Sequence, residues 1–178
     1  GVDPDFYPLE KFDAEGRYTG IGPDYLRILH KMTGLSFRIA PPSDWTNTID
    51  MATSHKVDMY IAAAETQHRS QYMVFTPSYI VLPGIIVTRQ PTKGESVTRG
   101  AATDETEPSI DGLKDLAGKR VAVVNRYSWH DFLEELHPEI PPVPVKNTLE
   151  GLQKVAFGEV DAMIDYQFNI TEKINNSG

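Results

Sequence analysis

Cysteine does not occur among the 178 residues. Disulfides, thiol nucleophiles and cysteine-ligated zinc are excluded with it, while an oxidising compartment is neither required nor ruled out. Long apolar runs are missing too, and no stretch approaches the roughly 18 residues that a membrane-spanning helix needs. Positive charge is scarce: 17 Lys and Arg stand against 25 Asp and Glu, a formal net charge of −8 with an isoelectric point near 5.1. Phosphate recognition needs a basic face, so no nucleic-acid or anionic-lipid partner is expected. The histidines, His30, His55, His68, His130 and His137, lack the i, i+4 spacing of metal ligands. No Gly-x-Ser-x-Gly, Gly-rich phosphate loop or His-Glu-x-x-His occurs, so no metal, no cofactor and no catalytic residue is signalled. The chain opens on Gly1-Val2-Asp3, which reads as a strand and not as the basic-then-apolar start of a secretory signal.

What is present is a 40% hydrophobic composition in which helix and strand patterns alternate, the mark of an α/β fold with enough apolar mass for a core. Residues 58–90 organise the rest. Met59 to Ala64 is an apolar run that reads as a strand buried on both faces. It gives way at once to the polar 65–71, so side chains are placed at the carboxyl end of a buried strand, where open α/β sheets bind ligands. Val81 to Thr88 is a second apolar run that carries the chain toward another sheet. A site followed by a crossover predicts a cleft between two lobes.

Elsewhere, Asp13 to Gly16 reads as a hairpin turn, and Pro23 as the first position of a helix with Tyr25, Leu26, Leu29 and Met32 on its apolar face and Gly34 as its end. Leu35 to Ala40 reads as a strand. Asp44 or Thr46 caps a helix with Ile49 and Ala52 inward. Residues 90–112 form a polar loop. After a short helix at Leu113 to Leu116 come a buried strand from Arg120 to Val124 and a helix capped by Ser128. An extended Val143 to Val145 precedes a helix with Leu149, Leu152 and Val155 inward, then a strand from Val160 to Ile164 and a final helix from Gln167. The expected division is 1–88 for lobe 1, 89–112 for the crossover and polar loop, and 113–178 for lobe 2.

Several stretches carry a family resemblance in their order and spacing: Asp3-Pro-Asp-Phe-Tyr-Pro-Leu-Glu10, Gly20-Ile-Gly-Pro-Asp-Tyr-Leu26, Thr66-x-x-Arg69, Phe75-Thr-Pro-Ser-Tyr79, a strand ending in Thr88-Arg89, and Val121-Ala-Val-Val-Asn-Arg-Tyr-Ser128. Together they resemble the type II periplasmic solute-binding fold. More narrowly, they are similar to family 3 domains fused as extracytoplasmic sensors to bacterial histidine kinases and cyclic-dinucleotide enzymes. The resemblance implies a two-lobed periplasmic-binding-protein type II (Venus-flytrap) architecture, here without the C-terminal return into lobe 1. It implies a periplasmic location within an inner-membrane protein, with transmembrane and signalling domains as partners and a small carboxylate or amino-acid-like solute in the cleft. It also admits a homodimer formed through the full-length receptor.

Candidate ligand-binding residues follow. A guanidinium at the end of a buried strand takes a carboxylate through two parallel charge-assisted hydrogen bonds. Arg69 has that position, though by itself it reads first as a helix cap or a surface partner of Glu65; the resemblance reverses this and makes it the solute-carboxylate arginine. Phe6 and Trp45 fall where the family places aromatic walls. Tyr127 and Ser128 sit at the strand-to-helix junction of lobe 2, where free N–H groups meet anions. Asp165 is expected to accept an ammonium and Asp3 to meet the solute's distal end, and Thr66 heads the arginine motif. The sequence departs from the family at Ala64, where a hydroxyl residue is common, and at Tyr166, where an amine-binding acid or amide is expected.

Three other readings stand beside the sensor. The same fold serves as the free solute-binding receptor of an ABC-type uptake system. It also serves as a dehydratase-like enzyme, which here would need His68, Glu65 or Asp165 as acid or base. A third is a lobe pair that binds nothing and relays a structural signal.

Overall fold

The computed structural model describes residues 1–40, 42–89 and 110–176; most of the expected polar loop, 90–109, lies outside the described residues. The amino-terminal part builds a small antiparallel sheet from β1 (Asp5–Phe6), β2 (Glu10–Phe12) and β3 (Tyr18–Thr19). The β2–β3 connection is the expected turn. Gly16 N donates to Asp13 O (2.9 Å), the Asp13 carboxylate accepts from Arg17 N (2.8 Å), and Gly16 takes a positive φ of 75° that an L side chain resists.

Helix α1 (Ile21–Thr33) begins two residues before Pro23, which therefore lies inside the first turn and not at its first position. It ends on Gly34 in the left-handed conformation, as expected. Tyr25, Leu26 and Leu29 pack on the core, but Met32 is exposed with the whole last turn, 30–33, which extends past the elements it packs against. Helix α2 (Trp45–Thr53) is capped by Asp44, whose carboxylate accepts from Asn47 N (2.8 Å), and it buries Trp45, Thr48 and Ile49.

The strands expected at Leu35 to Ala40 and Met59 to Ala64 are not formed. Neither segment joins a ladder, and the second bends at Ile61 and Ala62; Leu35 and Met59 are exposed, and only Ile61 and Ala62 of the second run are buried. An apolar run reports a tendency to extend and to be covered. A strand also needs a neighbour to complete its main-chain hydrogen bonds, and no described segment supplies one. Side chains hold the second segment instead: Tyr79 Oη donates to Ile61 O, and Arg69 Nη1 donates to Ala64 O (3.0 Å).

The second sheet has the order β4-β7-β5-β6, from β4 (Gly84–Thr88), β5 (Val121–Val124), β6 (Pro142–Val145) and β7 (Ala162–Tyr166). Strand β4 runs antiparallel to β7, so residues 84–88 belong to this sheet although they fall within the span expected of lobe 1. β5 pairs in parallel with both β6 and β7. The parallel pairs are joined through α3 (Ser128–Leu136) and α4 (Thr148–Ala156), and α5 (Gln167–Asn176) follows β7.

Val121 to Val124 is buried throughout, as a run covered on both faces should be. Its period of two sends Val121 and Val123 into one cluster with Leu116, Leu133 and Ile140, and Ala122 and Val124 into another with Val145, Met163 and Ile170. That second cluster continues into Phe6, Leu9, Trp45 and Ile49, so one apolar core spans both lobes. Two boundaries shift. β7 starts at Ala162, after Asp161 has turned to bind Arg120, and α4 presents Gly151 and Val155 inward, leaving Leu149 exposed. Among the described residues, no helix is long and apolar enough to cross a membrane.

Candidate functional site

Arg69 begins a short 3₁₀ turn, Arg69–Gln71, after the polar segment that leaves Ala64. It is 3% exposed. Its guanidinium is engaged on three sides: Nη1 donates to Ala64 O (3.0 Å), Nη2 donates to Arg126 O (2.8 Å), and Nε lies 3.3 Å from Asp131 Oδ2. The fourth side is the Trp45 ring, 5.4 Å from the guanidinium carbon. The alternative pairing with Glu65 is not formed; the Glu65 carboxylate accepts from Ser70 Oγ instead (3.4 Å).

The Arg126 carbonyl is the hub of the site. Arg126 follows β5 with φ +61°, and its carbonyl oxygen accepts from both Arg69 and Trp45 Nε1 (2.8 Å). Its own guanidinium reaches back to Asp50 Oδ1 on α2 (2.6 Å). Helix α3 adds two carboxylates one turn apart. Asp131 accepts from Thr66 Oγ1 (2.9 Å), and Glu135 accepts from the backbone N–H groups of Gln67 (3.2 Å) and His68 (2.7 Å). The loop carrying Arg69 is thus held by the second lobe at four consecutive residues, 66 to 69.

Aromatic and acidic groups complete the floor. Phe6 meets Tyr127, Tyr166 and Phe168 edge to face, with centroids 5.8, 5.4 and 5.3 Å away. Tyr127 Oη donates to Asp3 Oδ2 (2.7 Å), and Asp3 Oδ1 accepts from Asp5 N (2.9 Å). Burial raises the Asp3 carboxyl to about 6, against the pull of those two hydrogen bonds. Glu10, behind it, is raised by burial to about 7 although Tyr18 Oη donates to it (2.5 Å). Lys173 on α5 binds Asp5 (2.5 Å) across the lobes.

These groups border a cavity of about 710 Å³ that opens from the lobe interface along residues 57–65 and 72–82. Of the ten residues named from sequence, Asp3, Phe6, Trp45, Ala64, Arg69, Tyr127, Ser128 and Tyr166 line it. Ser128 does not cap α3: the N-cap is Tyr127, without a side-chain bond, and the Ser128 hydroxyl shares a 2.6 Å hydrogen bond with Tyr166 Oη. Two residues stand outside. Thr66 turns to Asp131. Asp165, expected to meet an ammonium, is a buried residue of β7 that accepts from Thr148 Oγ1 (2.6 Å), Tyr166 N (2.7 Å) and Asn169 Nδ2 (3.3 Å). Burial holds it at about 6.

Sequence reasoning missed Asp131, Glu135 and the Arg126 carbonyl. The first two had a readable signal, being acids i, i+4 on one helix face. The third is a backbone atom and had none. Tyr72, which lines the cavity, keeps a buried hydroxyl without a hydrogen-bond partner among the described residues. No group of three His, Asp or Glu among the described residues is arranged to hold a metal ion.

The model for bacterial extracellular solute-binding proteins, family 3, matches residues 1–137. The sensor protein EvgS of Escherichia coli K12 is 24% identical over 162 residues, an alignment covering 91% of this chain and 12% of EvgS. The chain thus spans about an eighth of the length of such relatives. Among solved structures, the periplasmic VFT2 domain of Bordetella pertussis BvgS superposes with a TM-score of 0.73 at 25% identity, covering 98% of this chain and 68% of that one. A histidine kinase sensor domain with similarity to periplasmic binding proteins gives 0.77 at 20% identity, covering 99% and 71%, a likeness of fold.

Proposed function

Since the chain belongs to the bacterial extracellular solute-binding proteins of family 3, with their two-lobed Venus-flytrap fold, we propose that it is a periplasmic sensor domain of an inner-membrane histidine kinase. In this reading it binds a small carboxylate or amino-acid-like solute between its lobes and passes the change in lobe contacts to its own transmembrane and signalling domains. The observation that carries the reading is the placement of Arg69. A buried guanidinium lies between the lobes, against Trp45 and beside the cavity, with contacts from each lobe. A group so placed feels both the solute and the lobe geometry, and a solute that prefers one geometry shifts the balance between them. That EvgS is a sensor protein and that one structural neighbour is a histidine kinase sensor domain favour this over a free uptake receptor. Of the acids and bases that the enzymatic alternative would need, Asp165 is bonded away from the cavity and His68 does not line it, which leaves Glu65 alone at its edge.

Thermal unfolding against a panel of amino acids and small carboxylates, run beside Arg69→Ala, tests the proposal. A solute at ~100 times its dissociation constant adds roughly 2.7 kcal/mol, on the order of 5–10 °C in midpoint for a chain of this size. One compound class should shift the parent and leave Arg69→Ala unmoved. Equal shifts in both proteins would remove Arg69 from the site, and no shift in either would favour the ligand-free relay.

A further inference from the structure

The carboxylate that faces Arg69 belongs to the protein. Asp131 Oδ2 sits 3.3 Å from Nε, both side chains are buried, and Thr66 Oγ1 fixes the same oxygen at 2.9 Å. Thr66 Oγ1 in turn accepts from Arg69 N (3.2 Å), so hydroxyl, carboxylate and guanidinium form a closed ring of contacts. Glu135 holds the same loop one helical turn away. We propose that Asp131 is a specificity-determining residue that competes for the carboxylate seat on Arg69: solute binding at this arginine exchanges the protein's carboxylate for the solute's. This rests on the reading of Arg69 as the solute-facing group.

The chemistry sets what wins the exchange. Asp131 makes a single contact through Nε. A solute carboxylate that takes two parallel N–H groups makes the stronger, forked pair. A bare carboxylate must still displace a neighbour that is already tethered and needs no translational entropy to bind. The favoured solute therefore adds a second anchor, an apolar or aromatic body against Trp45 and Phe6, while acetate-sized anions are rejected. Asp131 also links the lobes, so leaving Arg69 releases one of the ties between α3 and the 66–69 loop.

The test pairs an affinity arm with a geometry arm. Binding of acetate, succinate and L-glutamate is measured by calorimetry for the parent chain, Asp131→Asn, Asp131→Glu and Asp131→Asn combined with Arg69→Ala. Asn keeps the acceptor for Thr66 without the charge, and Asp131→Ser is the second variant should Asn fold poorly. In the geometry arm, spin labels at Lys56→Cys and Gln153→Cys, clean sites in a chain without cysteine, report the interlobe distance. Asp131→Asn should bind all three carboxylates about tenfold or more tightly, Asp131→Glu should return to parent affinity, and removal of Arg69 should abolish the gain. The label distance should lengthen in Asp131→Asn before any solute is added. Carboxylates that bind parent and Asp131→Asn equally, with unmoved labels, overturn the competition and leave the Arg69 site standing. Longer label distances with no carboxylate bound by any variant uphold the Asp131 tie and sink the carboxylate reading of the solute.

Discussion

Asp3→Asn should change stability with a pH dependence of known sign. The Asp3 carboxyl is buried between Glu10 and the lobe interface, and desolvation lifts it from 3.8 to about 6, partly offset by the hydrogen bonds from Asp5 N and Tyr127. Its folded value lies above its unfolded one, so the folded chain takes up the proton first as pH falls. The contribution of Asp3 to stability therefore grows on acidification from pH 8 toward 4.5, and is lost as pH rises through the folded value. Raising the carboxyl from 3.8 to about 6 corresponds to about 3 kcal/mol in full. With an unfolded value of 3.8, about 2 kcal/mol of that is realised by pH 4.5. Asparagine has no such proton to gain. Any hydrogen bond it loses is a constant offset, whereas the pH-dependent part disappears. Melting by far-ultraviolet circular dichroism at pH 8 and pH 4.5 should show Asp3→Asn gaining on the parent at pH 8 relative to pH 4.5 by about 2 kcal/mol, on the order of 4–8 °C for this length. A parent-to-variant difference that stays constant across that range refutes the argument that burial governs this carboxyl.

Phe6→Ala removes a ring that packs edge to face on three others and should cost about 3–5 kcal/mol. A midpoint lowered by less than about 2 °C would show that the cluster contributes little. Trp45→Phe keeps most of the apolar area and deletes the donor to Arg126 O, which still accepts from Arg69; urea titration should give a loss of about 1–2 kcal/mol. An unchanged urea midpoint would mean that this hydrogen bond does not hold the lobes.

The second lobe was legible from sequence because its signals are local and self-consistent. Four consecutive buried residues from Val121 and a helix beginning after Asn147 each need nothing beyond their own neighbourhood, and in the first lobe the same holds for the glycine end of α1. Leu35 to Ala40 and Met59 to Ala64 were misread because apolarity cannot report whether a neighbouring strand completes the ladder. Ser128 looked like a cap because capping is judged from the residues that follow it, whereas its hydroxyl is used by Tyr166, 38 positions away. Asp165 was misassigned for the same reason: a carboxylate after a buried strand reads as available, and only the packed structure brings Thr148 and Asn169 onto it. Of the eight named residues that line the cavity, all but Asp3 and Ala64 lie at strand ends and helix starts, which the fold gathers at one edge.

One of the acceptors that join the two lobes at the site is a main-chain oxygen, and in the proposed sensor reading that bears on how a signal would leave the cleft. Arg126 lies between the end of β5 and the start of α3, and its oxygen takes hydrogen bonds from Arg69 and Trp45 while its side chain grips Asp50. Substitution cannot delete that acceptor; it can only weaken the donors one at a time. Whatever claims Arg69 must therefore be answered by a turn continuous with a helix that carries Asp131 and Glu135 four residues apart, both on the 66–69 loop. Helix α3 is short and packed by Leu133, and its two carboxylates hold the same loop through separate contacts. Under the proposed exchange, the expected consequence of a solute claiming Arg69 is a shift of α3 relative to the 66–69 loop, which a distance between labels on α3 and that loop would register.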